Sequence, residues 1–241
     1  PDVVGLWHFD GDEASFAADS SPHKHKATPR GAAQSPDGRF DDCFEGAVGY
    51  PVADESHGLH ISRSPILSPE GPFTVEMWIR AKDADDFPLT YSPVLLDMKY
   101  VPGNHSGFMF TLTRASSTGA RQLSLEIGTG AESSHWYSRP VHFEPGVWRH
   151  VAFTYDGAGT AEFFVDGAEL GRSTKSTAGP MAAAIRPLSI GDRIGSLYRG
   201  FPGFIDELRI TKGVREFRPI SFVPDMDRFV FRRMSDHATL T

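Results

Sequence analysis

Helical periodicity is almost absent from this chain; instead, alternating apolar and polar residues recur between clusters of Gly, Pro, Asp and Ser. A run of that kind buries one face only, and it needs a second sheet to bury it against. The clear strands are "VVGLWHF", "FTVEMWIR", "GFMFTLTR", "QLSLEIG", "WYSRPVHF", "VWRHVAFTYD", "TAEFFVDG", "AELGRST", "PLSIGD" and "GFIDELRI", with shorter ones near Cys43, near Leu59 and from Val94 to Met98. Their number and spacing predict an all-β fold, a two-sheet antiparallel β-sandwich or jelly roll. Asp156-Gly157, Gly159 and Asp166-Gly167 supply positive φ angles between alternating runs, which predicts a local meander from about Val147 to Arg172. No repeat of fixed period is visible, which argues against a propeller or solenoid.

With 241 residues, 39% of them hydrophobic and 12% aromatic, the chain can bury one sizeable core. The long polar loops, such as residues 10–42, are too short to separate two domains, so we read one domain over residues 2–220. Residues 221–241 are read as an extension in which "DRFVFRRM" packs as an added strand or opens a linker. Net charge is -7, and the only late basic cluster, Arg228, Arg232 and Arg233, reads as a solvated end. Nucleic acid and anionic membrane are therefore poor partners. The single cysteine, Cys43, excludes an internal disulfide and a cysteine-based zinc site. No apolar run approaches the roughly 18 residues of a membrane span. A start at Pro1 suggests a fragment or processed form, in which any targeting segment would lie upstream, and "NHS" at Asn104 is formally a glycosylation acceptor.

In "GFIDELRI", alternation puts Phe204, Asp206, Leu208 and Ile210 on one face. Three of the four are apolar, so that face is expected to be buried with Asp206 in it. An uncompensated carboxylate there would cost several kcal/mol. Something must therefore compensate it.

The strings "GLWHFD", "DSS", "PFTVEMWIR", "GVWRHVAFTYDG", "FFVDGAEL", "PLSIGD" and "FPGFIDELRI", in this order, resemble the laminin-G-like jelly roll of the concanavalin A-like lectin/glucanase superfamily, over residues 5 to about 215. The resemblance implies a structural Ca2+ joining the first and last parts of the sandwich through Asp10 and Asp206, with Asp12 and a backbone carbonyl near "CFEG" as further ligands. Asp19 of "DSS" reads as a turn or cap residue. Trp7, Trp78 and Trp148 lie inside strands and, with His150, read as core or inter-sheet packing.

The superfamily hosts sugar-binding modules, adhesion domains, hydrolases and lyases, so function has to be argued from a site. Its glucanases carry paired acids written E-x-D-x-E, and here no Glu is followed two positions later by Asp. Glu162, Asp166 and Glu169 straddle a hairpin turn. His23 and His25 lack a metal-protease partner motif and read as solvated. Tyr137, His135 and Arg139 would suit a lyase in composition. They suit a sugar platform equally, with Trp136 as an exposed stacking ring, expected to be at least half exposed, and a second cluster in Arg193, Tyr198 and Arg199. We read the chain as a non-catalytic carbohydrate-binding or adhesion module of a larger extracellular or cell-surface protein, its partners a polysaccharide or glycan and the parent's other domains. The alternatives are a structural or protein-interaction domain without a sugar ligand, and a polysaccharide lyase or glycoside hydrolase.

Overall fold

The structure, a computed structural model, describes residues 2–12, 15–31, 33–49, 58–82, 90–99, 103–193 and 199–219. Its strands are β1 (Asp2–Trp7), β2 (Ala27–Arg30), β3 (Ala33–Ser35), β4 (Cys43–Glu45), β5 (Gly58–Ile61), β6 (Phe73–Ala81), β7 (Val94–Asp97), β8 (Phe108–Leu112), β9 (Leu123–Gly128), β10 (Ser133–Tyr137), β11 (Arg149–Tyr155), β12 (Thr160–Val165), β13 (Ala168–Thr174), β14 (Leu188–Ile190) and β15 (Gly203–Lys212). One sheet has eight strands, ordered β13-β12-β11-β6-β15-β4-β3 with β1 also on β15; the other has seven, ordered β10-β9-β8-β7-β14-β5-β2. The pairings between these strands are all antiparallel, so the expected all-β two-sheet sandwich is present.

Alternation places Phe73, Val75, Met77 and Ile79 of β6 and Val151, Phe153 and Tyr155 of β11 against Phe108, Phe110 and Leu112 of β8 and Leu123, Leu125 and Ile127 of β9. Phe73 meets Phe108 at 5.4 Å, and Phe110 meets Phe153 at 4.9 Å, between ring centroids, so the two sheets interlock through aromatic contacts. The meander β11-β12-β13 forms as expected, and the second hairpin turns on Asp166 (φ 50) and Gly167 (φ 75). That pair of left-handed residues is what a two-residue hairpin turn requires.

Three expectations need correction. β2 and β3 lie inside the segment read as loop; both are short, β2 is mostly exposed and lacks one donor at Pro29, and β3 is only partly buried, so neither carries an alternating apolar signal. "WYSRPVHF" does not continue as one strand: β10 ends at Tyr137, and only the isolated bridge Arg121–Val141 follows. In β15, the expected face forms only in part: Leu208 and Ile210 reach the core, and Phe204 and Asp206 do not. Asp206 pairs with Trp78 and Arg209 with Glu76, which leaves two residues of β15 opposite one of β6, a β-bulge with Glu207 at φ 52. The bulge shifts the alternation by one, so Ile205, Leu208 and Ile210 enter the core while Phe204, Asp206 and Arg209 face outward.

Asp206 is nonetheless fully buried. The loop between β3 and β4 covers it, and Arg39 and Phe40 donate their backbone N–H groups to its Oδ2 at 2.8 and 2.9 Å. Trp78 lies on the same outer face as a half-buried ring, with the Arg39 guanidinium 4.7 Å from its centroid, so it is not a core residue; Trp148 is likewise half-buried there, with Arg80 above it. After β15, the chain crosses this face: Arg215 pairs with Glu76, and Phe217 packs on Phe164 with centroids 4.7 Å apart. The extension 221–241 lies outside the described residues.

Candidate functional site

The outer face of the seven-stranded sheet presents the polar halves of "FMFTLTR" and "QLSLEIG". Register aligns Tyr137 with Ser124, Ser124 with Thr111 and Thr111 with Val94, one continuous row across four strands. Around this row, a groove of about 400 Å3 is lined by Gln122, Thr113, Ser92 and Met109 and by three arginines, Arg114, Arg193 and Arg199. Its volume falls in the range of sites for small ligands, about 300–1,000 Å3. Arg199 is held in a left-handed backbone conformation (φ 63), and its carbonyl accepts the N–H of Val94 at 2.9 Å, which ties its loop to the start of β7.

Two sequence clusters read separately, around Tyr137 and around Arg193 and Arg199, therefore meet in one groove. Tyr137 is 49% exposed, and the His135 ring stacks beside it with an interplanar angle of 8°. Tyr198 lies outside the described residues. Arg139 does not join them; its guanidinium donates to the Glu169 carbonyl, on the neighbouring β13.

The exposure expected of Trp136 is overturned. Its ring is 1% exposed, packs edge-on to Tyr155 with centroids 5.4 Å apart and donates its Nε1–H to the Gly159 carbonyl at 3.1 Å. The cause is strand phase: in β10, Ser134 and Trp136 point inward and His135 and Tyr137 outward, so neighbouring aromatics are divided between core and surface. Gln122, Ser124, Thr111 and Arg114 escaped sequence reading because only cross-strand register gathers them.

A second cluster sits where β1 meets the bulge of β15. Single ligand atoms of His8, Asp10 and Glu207 lie within 4.8 Å of one another, and His8 Nδ1 hydrogen-bonds Glu207 Oε1 at 2.7 Å. Glu207 Oε2 and Asp206 Oδ1 are buried without a hydrogen-bond partner among the described residues. Burial raises the Asp206 carboxyl to about 7; the charges of Glu207 and Asp10 push the same way, and the N–H groups of Phe40 and Arg39 oppose them. Left-handed backbone at Phe9 (φ 62) and at Glu207 puts two strained non-glycine residues beside this cluster. Asp12 is not in it, since its Oδ1 accepts from Ser15 N and Oγ in a local turn. Asp19 does act as a turn residue, accepting from Leu6, Ser21 and His25. His25 is not the solvated residue expected: its ring bridges Asp19 and Ser64. Asn104 is 8% exposed, and its amide donates to the Lys99 carbonyl.

A model of laminin G type from the concanavalin A-like lectin/glucanases superfamily matches residues 54–220. The chain belongs to that superfamily. Solved relatives share the fold at low identity. The binding domain of Paraclostridial Mosquitocidal Protein 1 superposes with a TM-score of 0.66 at 14% identity, over 89% of this chain and 50% of that one. Domain 4 of AbnA, a GH43 extracellular arabinanase from Geobacillus stearothermophilus in complex with arabinotriose, superposes with a TM-score of 0.61 at 18% identity, over 88% of this chain and 93% of that one. Among curated proteins, Pappalysin-1 of Mus musculus is 24% identical over 172 residues, and this concanavalin A-like chain matches 68% of its own length but only 10% of that protein's.

Proposed function

We propose that this concanavalin A-like domain is a non-catalytic carbohydrate-binding module of an extracellular protein and that its glycan lies in the groove on the outer face of the seven-stranded sheet. The observation that carries the reading is the half-exposed Tyr137 ring, set in a groove with Arg193, Arg199, Gln122 and the hydroxyls of Thr111 and Ser124. An aromatic ring takes the apolar face of a sugar, and the surrounding donors and acceptors take its hydroxyls. The arabinanase domain solved with arabinotriose supports a sugar ligand and an extracellular setting, as does the neurotoxin type C relative whose cell entry depends on two ganglioside molecules. No helix among the described residues is long and apolar enough to cross a membrane.

Screening the chain against plant and bacterial oligosaccharides should return a ligand. Replacing Tyr137 by Ala should then weaken it roughly ten-fold, because stacking contributes on the order of 1.4 kcal/mol. The melting temperature should stay within about 1 °C of the parent, since the ring lies outside the core. A glycan that binds equally well to Tyr137→Ala would place the site elsewhere.

The reading includes a Ca2+ at the second cluster. The donor set fits through its oxygens: the carboxylates of Asp10 and Glu207 converge, and Asp206 Oδ1 and Glu207 Oε2 are buried with no hydrogen-bond partner among the described residues. His8 orients Glu207 through Oε1 and is not itself a ligand for so hard a cation. Bound there, Ca2+ would neutralise the crowded carboxylates and pin β1 to β15. At a concentration a hundred times its dissociation constant, it should add about 2.7 kcal/mol, roughly 5–10 °C in melting temperature, which EDTA removes. Glu207→Gln should abolish the response. A melting curve that EDTA leaves in place in the parent protein would sink the calcium assignment.

A further inference from the structure

We infer that the outer face of the eight-stranded sheet is a docking site for an extended segment of a partner protein that carries an arginine and an aromatic residue two positions apart, and that residues 213–218 of this chain hold the site shut as an internal ligand. The glycan groove lies on the other sheet and plays no part in it.

The strap that follows β15 has the form of a bound peptide. Gly213, in the left-handed region (φ 99), turns the chain off β15, and burial then alternates: Arg215 and Phe217 are half-buried, while Val214, Glu216 and Arg218 are exposed. That is the period of an extended segment which meets a surface with every second side chain. The Gly213 N–H donates to the Pro72 carbonyl at 2.7 Å, and past it the strap makes no backbone–backbone hydrogen bond among the described residues. It is therefore no strand of the sheet, and side chains hold it. Thr74 Oγ1 donates to the Gly213 carbonyl at 2.8 Å and accepts the Arg215 N–H at 3.0 Å; the Arg215 guanidinium pairs with Glu76, and the Phe217 ring packs on Phe164 and His150.

The face beneath is shaped for such a ligand. Register sets Phe164, Ala152, Glu76 and Arg209 in one row across β12, β11, β6 and β15. The short Ala152 side chain separates an aromatic ring from a carboxylate, both buried, so the row offers one seat for a ring and one for a guanidinium. At the far end the backbone passes close over Gly167, where a Cβ would collide with the Arg218 carbonyl. The seat can also be vacated. Thr74, Glu76, His150, Thr154 and Arg209 share this face, so much of what the strap covers is polar and water can solvate it; Glu76 keeps Arg209, 3.6 Å away, when Arg215 leaves. An outside segment of the same pattern then competes with a strap whose effective concentration is on the order of 1 mM.

Calorimetric titration of the whole chain with a synthetic peptide of residues 212–219, KGVREFRP, tests the site. The double variant Arg215→Ala, Phe217→Ala, its fold verified by circular dichroism, should bind the peptide about ten-fold more tightly than the parent or better, because the parent's own strap competes. Peptides with Ala in place of Arg215 or of Phe217 should each bind that variant about ten-fold more weakly. Arg215→Ala alone, which leaves Phe217 on the face, is the milder variant and should rank the peptides in the same order. Equal binding of all three peptides, or no binding to a folded variant, would overturn the docking site and leave the strap as a fixed part of the fold. A parent chain that self-associates, and dissociates when the peptide is added, would overturn the partner reading by making the occupant the strap of a second copy.

Discussion

Trp136→Ala should destabilise the domain by about 3–5 kcal/mol, the usual cost of emptying a buried tryptophan site. The ring is enclosed by the sandwich, edge-on to Tyr155, and its Nε1–H satisfies the Gly159 carbonyl inside the β11–β12 turn. Removing it leaves a cavity between the sheets and takes from that carbonyl its indole donor, and both effects act in the same direction. For a domain of this size, each kcal/mol moves the melting temperature by about 2–4 °C, so a drop on the order of 10 °C is expected in differential scanning calorimetry. Trp78→Ala should cost less, because Trp78 is only half-buried, on the outer face beneath Arg39. A drop smaller for Trp136→Ala than for Trp78→Ala would show that the indole does not occupy the core.

Acid should weaken the fold through His150. Its imidazole lies between the strap residue Phe217 and Trp78, with Glu76 3.9 Å from Nε2. Glu76 is already engaged by Arg209 and Arg215. Burial, with the Arg209 charge adding to it, lowers the His150 pKa from 6.5 to about 4. An unfolded chain therefore takes up a proton below about pH 6.5 that the folded chain refuses until about pH 4. The stability linked to this group is present in full above the unfolded value and is lost as pH falls through that window. Two and a half pKa units correspond to roughly 3 kcal/mol at most.

Asp206 acts in the opposite sense, since its raised value favours the folded state as pH falls from about 7 toward 4. The His150 contribution is therefore read as a difference. Urea unfolding of the parent and of His150→Gln should be compared at about pH 7.5 and about pH 4.5, and the parent should lose roughly 2 to 3 kcal/mol more than the variant between them. Parallel pH profiles for the two proteins would mean that His150 titrates normally in the fold.

Much of the architecture could be read in the sequence because it rests on local rules. "FMFTLTR" and "QLSLEIG" alternate cleanly, and Phe108, Phe110, Leu112, Leu123, Leu125 and Ile127 all entered the core. Asp166-Gly167 announced its hairpin, because few other pairs adopt two consecutive left-handed conformations cheaply. The order of the family-like strings pointed to the superfamily before any coordinates did.

What the tertiary structure decided was phase and convergence. A period of two divides a strand into two faces but does not say which is inside when both carry large side chains, and in "SSHWY" that ambiguity put Trp136 in the core and Tyr137 on the surface. In "GFIDELRI", one extra residue in the bulge broke the alternation, leaving Leu208 and Ile210 in the core but Asp206 outside it, beneath the loop of Arg39 and Phe40, and bringing Glu207 toward His8 and Asp10. Non-local pairing alone set Tyr137 in one groove with Arg193 and Arg199. Chemistry at this site depends on which strands become neighbours, and burial of the whole core selects that arrangement, beyond the reach of any single stretch of sequence.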